Sequence, residues 1–260
     1  MILPFFQVDA FATRPLTGNP AAVMPLEEWL PDETLQAIAA ENNLSETAFT
    51  VPAEDDAADY RLRWFTPEAE VDMCGHATIA SGHILLTGER IRFATRSGLL
   101  TVTRADESRL VLDLPTARLE TRSDPELCAA LGLSARAVHF ADSCNDAALV
   151  EVGSEEEVRA LRPDFARLRS ILRMAVVTSR GTSADIASRV FVPYLGIDED
   201  PVTGSAHAAL VPYWAERLSR TRFSAAQVSR RGGELDCQLD GDRVRLTGRC
   251  WTVIEGSFQL

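Results

Sequence analysis

Several things are scarce or missing in this 260-residue chain, and each absence narrows the reading. No stretch reaches the ~18 consecutive apolar residues that a membrane-spanning helix needs. The opening Met1-Ile2-Leu3-Pro4-Phe5-Phe6-Gln7-Val8-Asp9 has no basic lead, and its apolar run is too short for a secretory signal. Positive charge is in deficit: 26 Lys plus Arg against 38 Asp plus Glu leave a net −12, which repels nucleic-acid phosphates and anionic lipid alike. The balance argues against nucleic-acid and membrane-surface roles, and any anionic ligand must be met by local positive groups. The five cysteines, Cys74, Cys128, Cys144, Cys237 and Cys250, are odd in number and scattered, with no C-x-x-C pair and no histidine cluster at ligand spacing. A cytoplasmic protein without disulfides or structural metal is expected. Also missing are G-x-G-x-x-G, a P-loop and the G-x-S-x-G elbow, which removes dinucleotide, nucleoside triphosphate and serine-hydrolase chemistry.

What is present is ordinary globular composition, 46% hydrophobic and 25% charged, in a length that suits one large domain or two smaller ones. A faint internal repeat favours two. Arg63-Trp64-Phe65-Thr66-Pro67 returns as Arg189-Val190-Phe191-Val192-Pro193, and Glu70 through Ala77 lines up with Glu199 through Ala206. Arg96-Ser97-Gly98-Leu99-Leu100 then matches Arg231-Gly232-Gly233-Glu234-Leu235. Each half reads as a strand, a glycine, a helix and further strands, with the boundary in 114–118: residues 1–115 form one half and 116–247 the other. The helices that follow Gly75 and Gly204 are apolar or small on nearly every face, so they must be enclosed. Pro212 should kink the second or end it early. Around them, 61–65, 100–102, 110–112, 148–152, 175–177 and 251–254 read as strands. A surface helix is expected near 31–39, and Ser123 and Ser154 each open an S-x-x-E capping box.

Chemistry points to the two glycine-led helix starts, because free N–H groups and the positive helix end make a carboxylate site. His76, Thr78, Thr203, Ser205 and His207 lie on or beside those starts. Ser205 could equally be a helix cap and His76 a satisfied buried histidine. Glu46, between polar turn residues and an apolar strand, would be a general acid/base if desolvation raises its pKa, or otherwise a solvent-facing strand-start glutamate. Asp200, before Pro201, could shape a turn. Cys74 reads either as a nucleophile or proton donor, or as a small buried hydrophobe.

The ordered series of motifs resembles the PhzF-like phenazine-biosynthesis family of the diaminopimelate epimerase-like superfamily. It comprises Val8-Asp9-Ala10-Phe11, Gly18-Asn19-Pro20, Asn43 through Phe49, Arg63 through Pro67, Cys74-Gly75-His76-Ala77-Thr78, Thr95-Arg96-Ser97-Gly98, Ser188 through Pro193, Glu199 through His207, and Gln227 with Arg231-Gly232-Gly233. The resemblance implies an α+β fold of two pseudo-symmetric domains, each a rolled, mostly antiparallel sheet around a central helix, with the C-terminal strand at about 248–260 returning to the first domain. It implies a homodimeric, cofactor-independent isomerase that needs no metal, with its site between the halves, moving a proton on a small carboxylate much as dihydrohydroxyanthranilate isomerase does. Glu46 would be the acid/base, His76, Asp200 and Ser205 would surround the substrate, and Asn19, Gly75, Ala77, Thr203 and Gly204 would bind it. Racemases of the superfamily place a cysteine before each helix-starting glycine; Cys74 holds the first place but Thr203 the second. A one-thiol epimerase or dehydratase, or a non-catalytic carboxylate binder, are the alternatives.

Overall fold

The protein is described by a computed structural model covering residues 1–142 and 146–260. Cys144 lies outside the described residues; the other four cysteines are buried free thiols. The chain divides into two units, 1–114 with 247–260, and 115–246.

The first unit contains β1 (Ile2–Ala10), β2 (Asn19–Pro25), α1 (Asp32–Asn42), β3 (Glu46–Pro52), β4 (Tyr60–Phe65), β5 (Glu70–Val71), α2 (Gly75–Leu85), β6 (Arg90–Thr95), β7 (Gly98–Arg104) and β8 (Arg109–Pro115). Pairing runs β1–β2 antiparallel, β2–β3 parallel, β3–β4 and β4–β5 antiparallel, β4–β6 parallel, then β6–β7 and β7–β8 antiparallel. Helix α2 packs on β1, β2, β3 and β7, and its residues from Gly75 to Gly82 are all buried. A helix with no polar face can be stable only in such an enclosure.

The second unit contains β9 (Leu119–Ser123), α3 (Pro125–Ala130), β10 (Ala137–Ala141), β11 (Ala148–Glu151), α4 (Glu155–Ala160), α5 (Phe165–Ile171), β12 (Ala175–Arg180), β13 (Ile186–Val192), β14 (Ile197–Asp200), α6 (Gly204–Leu218), β15 (Arg222–Gln227) and β16 (Gly233–Asp240). Its pairing repeats the first unit step for step. β10–β11 are antiparallel, β11–β12 parallel, β12–β13 and β13–β14 antiparallel, β13–β15 parallel and β15–β16 antiparallel. The last strand, β17 (Arg243–Gln259), begins in the second unit, and its residues from Thr247 onward belong to the first. There it pairs antiparallel with β1 from Ile2↔Gln259 to Ala10↔Cys250, and it also pairs with β8, so the first unit's sheet returns on itself. The architecture is the expected α+β one, with rolled sheets of mostly antiparallel pairs.

The repeat seen in the sequence is also a repeat of contacts. Arg63 forks onto Glu70 with its Nε and Nη2 at 2.7 and 2.8 Å, and Arg189 does the same to Glu199 at 2.7 and 2.8 Å. Each guanidinium also stacks on the phenylalanine two residues on, 5.1 Å from the Phe65 centroid and 5.0 Å from that of Phe191. Ser97 donates to the carbonyl of Asp72, and Ser229 to that of Pro201, the position aligned with Asp72.

Two local expectations are corrected. The cap of α3 is Asp124, whose carboxylate accepts the Leu127 amide, while Ser123 ends β9; Ser154 does cap α4, through the Glu157 amide. Pro212 does not end α6, which runs 15 residues to Leu218. The amide that a proline lacks would have served the carbonyl of Ala208, and the Ala117 amide takes that carbonyl instead at 3.0 Å, so no buried acceptor is orphaned.

Candidate active site

Gly18 has φ +69°, and a Cβ there would stand 2.3 Å from the Ala10 carbonyl oxygen. Only glycine allows the chain to double back so closely and deliver Asn19 to the start of β2. In the parallel β2–β3 pair, Ala21 lies opposite Glu46, which brings Glu46 into the same neighbourhood. Cys74 is the extended residue before α2, and no side chain caps that helix start. The first amides of α2, those of Gly75, His76 and Ala77, have no partner within the helix.

His76 is the hub of this group. Its Nδ1 is 3.1 Å from Asn19 Nδ2 and 3.5 Å from Cys74 Sγ, and its Nε2 is 3.1 Å from Glu46 Oε2. The Nε2 edge of the ring faces the carboxylate. The Nε2–Oε2 approach is close enough for an ion pair but off-line for a hydrogen bond, and neither buried atom has a hydrogen-bond partner among the described residues. Such a pair can rearrange around a third polar group without losing an established bond. Burial alone would disfavour a cationic His76, but the adjacent Cys74 sulfur and Glu46 carboxylate outweigh it and carry its pKa well above the usual histidine value. Burial, reinforced by the Glu46 charge, pushes the Cys74 thiol up to about 11. Thr78 spends its hydroxyl on the Cys74 carbonyl at 2.5 Å.

Glu46, Cys74 and His76 are the one grouping of three metal-type ligands among the described residues, their donor atoms lying within 4.8 Å of one another. Sulfur and carboxylate, however, address opposite ring nitrogens. One ion could take only one of those nitrogens, so the arrangement suits proton transfer across the ring better than coordination.

In the second unit, Asp200 ends β14 and Thr203 is the extended residue before α6. The Thr203 hydroxyl donates to Asp200 Oδ2 and its amide to Gln227 Oε1 at 2.9 Å, so both of its proton donors are engaged inside the loop. Gly204 and Ser205 open the helix, and no side-chain cap covers its start. His207 is fully buried; its Nδ1 donates to the Thr203 carbonyl at 2.7 Å and its Nε2 has no hydrogen-bond partner among the described residues. Burial drives its pKa down to about 4, which keeps it neutral at physiological pH. Of the sequence-derived candidates, Asn19, Glu46, Gly75, His76 and Ala77 gather at the start of α2, and Asp200, Thr203, Gly204 and Ser205 at the start of α6. Gln227 had been noticed only as part of a motif, without a role.

A family model described as phenazine biosynthesis-like protein matches residues 8–256. The chain is 51% identical, over all of both chains, to a protein of Pseudomonas aeruginosa described as an uncharacterised isomerase. It superposes with a TM-score of 0.90, at 43% identity and full coverage of both chains, on a crystal structure of a phenazine biosynthesis protein of the PhzF family from Enterococcus faecalis. A hydroxyproline epimerase from Agrobacterium vitis, solved with bound trans-4-hydroxy-L-proline, shares the fold at a TM-score of 0.68 and 13% identity, the match covering 98% of this chain and 92% of that one.

Proposed function

The chain belongs to the phenazine biosynthesis-like protein family and is an isomerase, and from that premise we propose that it moves a proton on a small carboxylate substrate with Glu46 as general acid/base. The observation that carries the reading is the buried Glu46 Oε2 held 3.1 Å from His76 Nε2 beside the uncapped start of α2. Taking a proton from carbon beside an unsaturated carboxylate leaves negative charge on the substrate. The Gly75 and His76 amides at the start of α2 and the Nε2 proton of His76 would serve as preorganised donors to such charge. Glu46, now protonated, returns the proton to a different carbon. Asp200 and Ser205 are assigned to substrate contact, the latter at the position of the second repeat that aligns with His76. The sequence contains no lysine, so all 26 cations counted as Lys plus Arg are arginines, and no side-chain amine can form a Schiff base with a carbonyl substrate. Activation of the carbon acid falls to hydrogen bonding and local charge.

Burial favours the carboxylate over the thiol rival. A Cys74 thiol titrating near 11 is almost wholly protonated at pH 7 and is a poor base there.

The test is substrate-dependent deuterium incorporation from heavy water, read by mass spectrometry across small cyclic and linear carboxylates including dihydrohydroxyanthranilate. Glu46→Gln keeps the shape and removes the titrating proton, and exchange should fall by roughly 10²–10⁴-fold with the fold intact. Full exchange by Glu46→Gln would reject Glu46 as the acid/base.

A further inference from the structure

Gln227 ends β15, is completely buried, and uses both ends of its amide on a single loop. Its Oε1 accepts the Thr203 amide at 2.9 Å; its Nε2 donates to the Asp200 carbonyl at 2.7 Å and to the Thr203 hydroxyl at 3.1 Å. Thr203 in turn donates its hydroxyl to the Asp200 carboxylate. One side chain thus closes a network that includes the backbone on both sides of Pro201-Val202 and, through Thr203, the orientation of the Asp200 carboxylate. Among the described residues the first unit holds this loop differently. There the equivalent loop is held by Ser97 on the Asp72 carbonyl and by Arg96 on Glu70 at 2.7 Å. Ser229 on Pro201 already reproduces the serine contact in the second unit, so Gln227 is an addition to the repeated scaffold.

We propose that Gln227 is a positioning residue of the isomerase: it fixes the Asp200–Thr203 loop so that the Asp200 carboxylate and the Gly204–Ser205 start of α6 meet the substrate in one geometry. The amide chemistry is needed at both ends. A glutamate there could still accept from the Thr203 amide, but it could not donate to the Asp200 carbonyl and would set a second negative charge near Asp200. The proposal rests on the reading above only in assigning Asp200 and Ser205 to substrate contact.

The experiment compares wild type, Gln227→Glu and Gln227→Asn in the full-length protein by amide hydrogen exchange without ligand, by thermal unfolding, and by steady-state turnover of the substrate identified through deuterium incorporation. By losing both Nε2 donations and setting a second buried charge beside Asp200, Gln227→Glu should open the loop, so that the Thr203 amide loses at least tenfold of its exchange protection despite the remaining acceptor and the unfolding temperature falls, while the first unit's amides keep their protection under native conditions. Its kcat should fall at least tenfold while KM changes less than threefold. Gln227→Asn, one methylene short but able to donate and accept, should recover part of the loss. Unchanged protection at Thr203 in Gln227→Glu would overturn the proposal, and so would lost protection with kcat and KM both within twofold of wild type. If Glu46→Gln retains turnover, the Glu46 assignment fails separately, and the Gln227 comparison is read as before.

Discussion

At the scale of single residues, the first unit's candidate site is a contest between burial and neighbouring charge. His76 and Cys74 are both buried and adjacent, yet burial wins for the thiol, whose pKa reaches about 11, whereas the neighbours win for the imidazole. A Cys74→Ser variant therefore should keep turnover within about threefold of wild type between pH 6 and 8, because a protonated thiol and a hydroxyl are both weak donors in that range; a loss of a hundredfold would restore the thiol as a participant. His207 gives the opposite kind of signal. Its folded pKa of about 4 lies below the ordinary histidine value of 6.5, so the unfolded chain binds the extra proton more readily as pH falls. The stability that neutral burial preserves is complete above about 6.5 and is lost progressively toward 4. Roughly 2–3 kcal/mol should disappear between pH 7 and 4.5 from this group alone. Chemical denaturation of wild type and His207→Asn at the two pH values checks it: the wild-type loss should exceed the variant's by about that amount, and equal losses would refute it. Candidates in the sequence were legible where a short motif fixed position and chemistry together, as for Glu46 and His76. The role of Gln227 was not legible, because its partners lie 24 and 27 residues away and their pairing depends on the parallel β13–β15 register.

At the scale of elements, the apolar helices and β-branched strands were readable because enclosure and alternation leave periodic traces. Strand β2 was not among the strands recognised: its sequence Asn-Pro-Ala-Ala-Val-Met-Pro has weak strand propensity, and it becomes one because β1 and β3 pair with it on both sides. Pro212 reads in the sequence as kinking helix α6 or ending it early, and the second outcome fails because the sequence does not disclose that the Ala117 amide waits for the Ala208 carbonyl. This substitution of partners makes a prediction. An interior proline ordinarily costs about 3 kcal/mol relative to alanine, in part through the missing hydrogen bond. Here that bond is replaced, so Pro212→Ala should stabilise the protein by less than about 1.5 kcal/mol, measured by reversible denaturant unfolding. A gain of 3 kcal/mol or more would mean that the Ala117 contact contributes nothing.

At the scale of the whole molecule, two units repeat one order of strand pairing and one Arg–Glu–Phe arrangement, although only short stretches of sequence retain the likeness. Buried strand positions accept many apolar residues of suitable size, whereas the bidentate Arg63–Glu70 and Arg189–Glu199 pairs tolerate few alternatives. That is why the repeat could be detected around those pairs and faded elsewhere. The units are not built from equivalent lengths of contiguous chain, because residues 247–260 complete the first. Removing residues 248–260 deprives β1 of its β17 partner along its entire length and leaves it only the β2 pairing of Phe6 to Ala10. In a chain shortened to Thr247, limited proteolysis should digest the 1–114 region rapidly while the 115–246 region persists; equal resistance of both would show that β17 is dispensable.

The same strand sets the order of events at the ribosome. Every residue of the second unit has been synthesised once Leu246 is joined, while the first unit, although begun earliest, waits for residues 247–260 to supply the strand against which Ile2 through Ala10 align. The usual expectation that the amino-terminal unit folds first during synthesis is thereby reversed. Throughout translation the emerging β1 carries an open edge, ready to pair with whatever strand is nearest, until β17 reaches it.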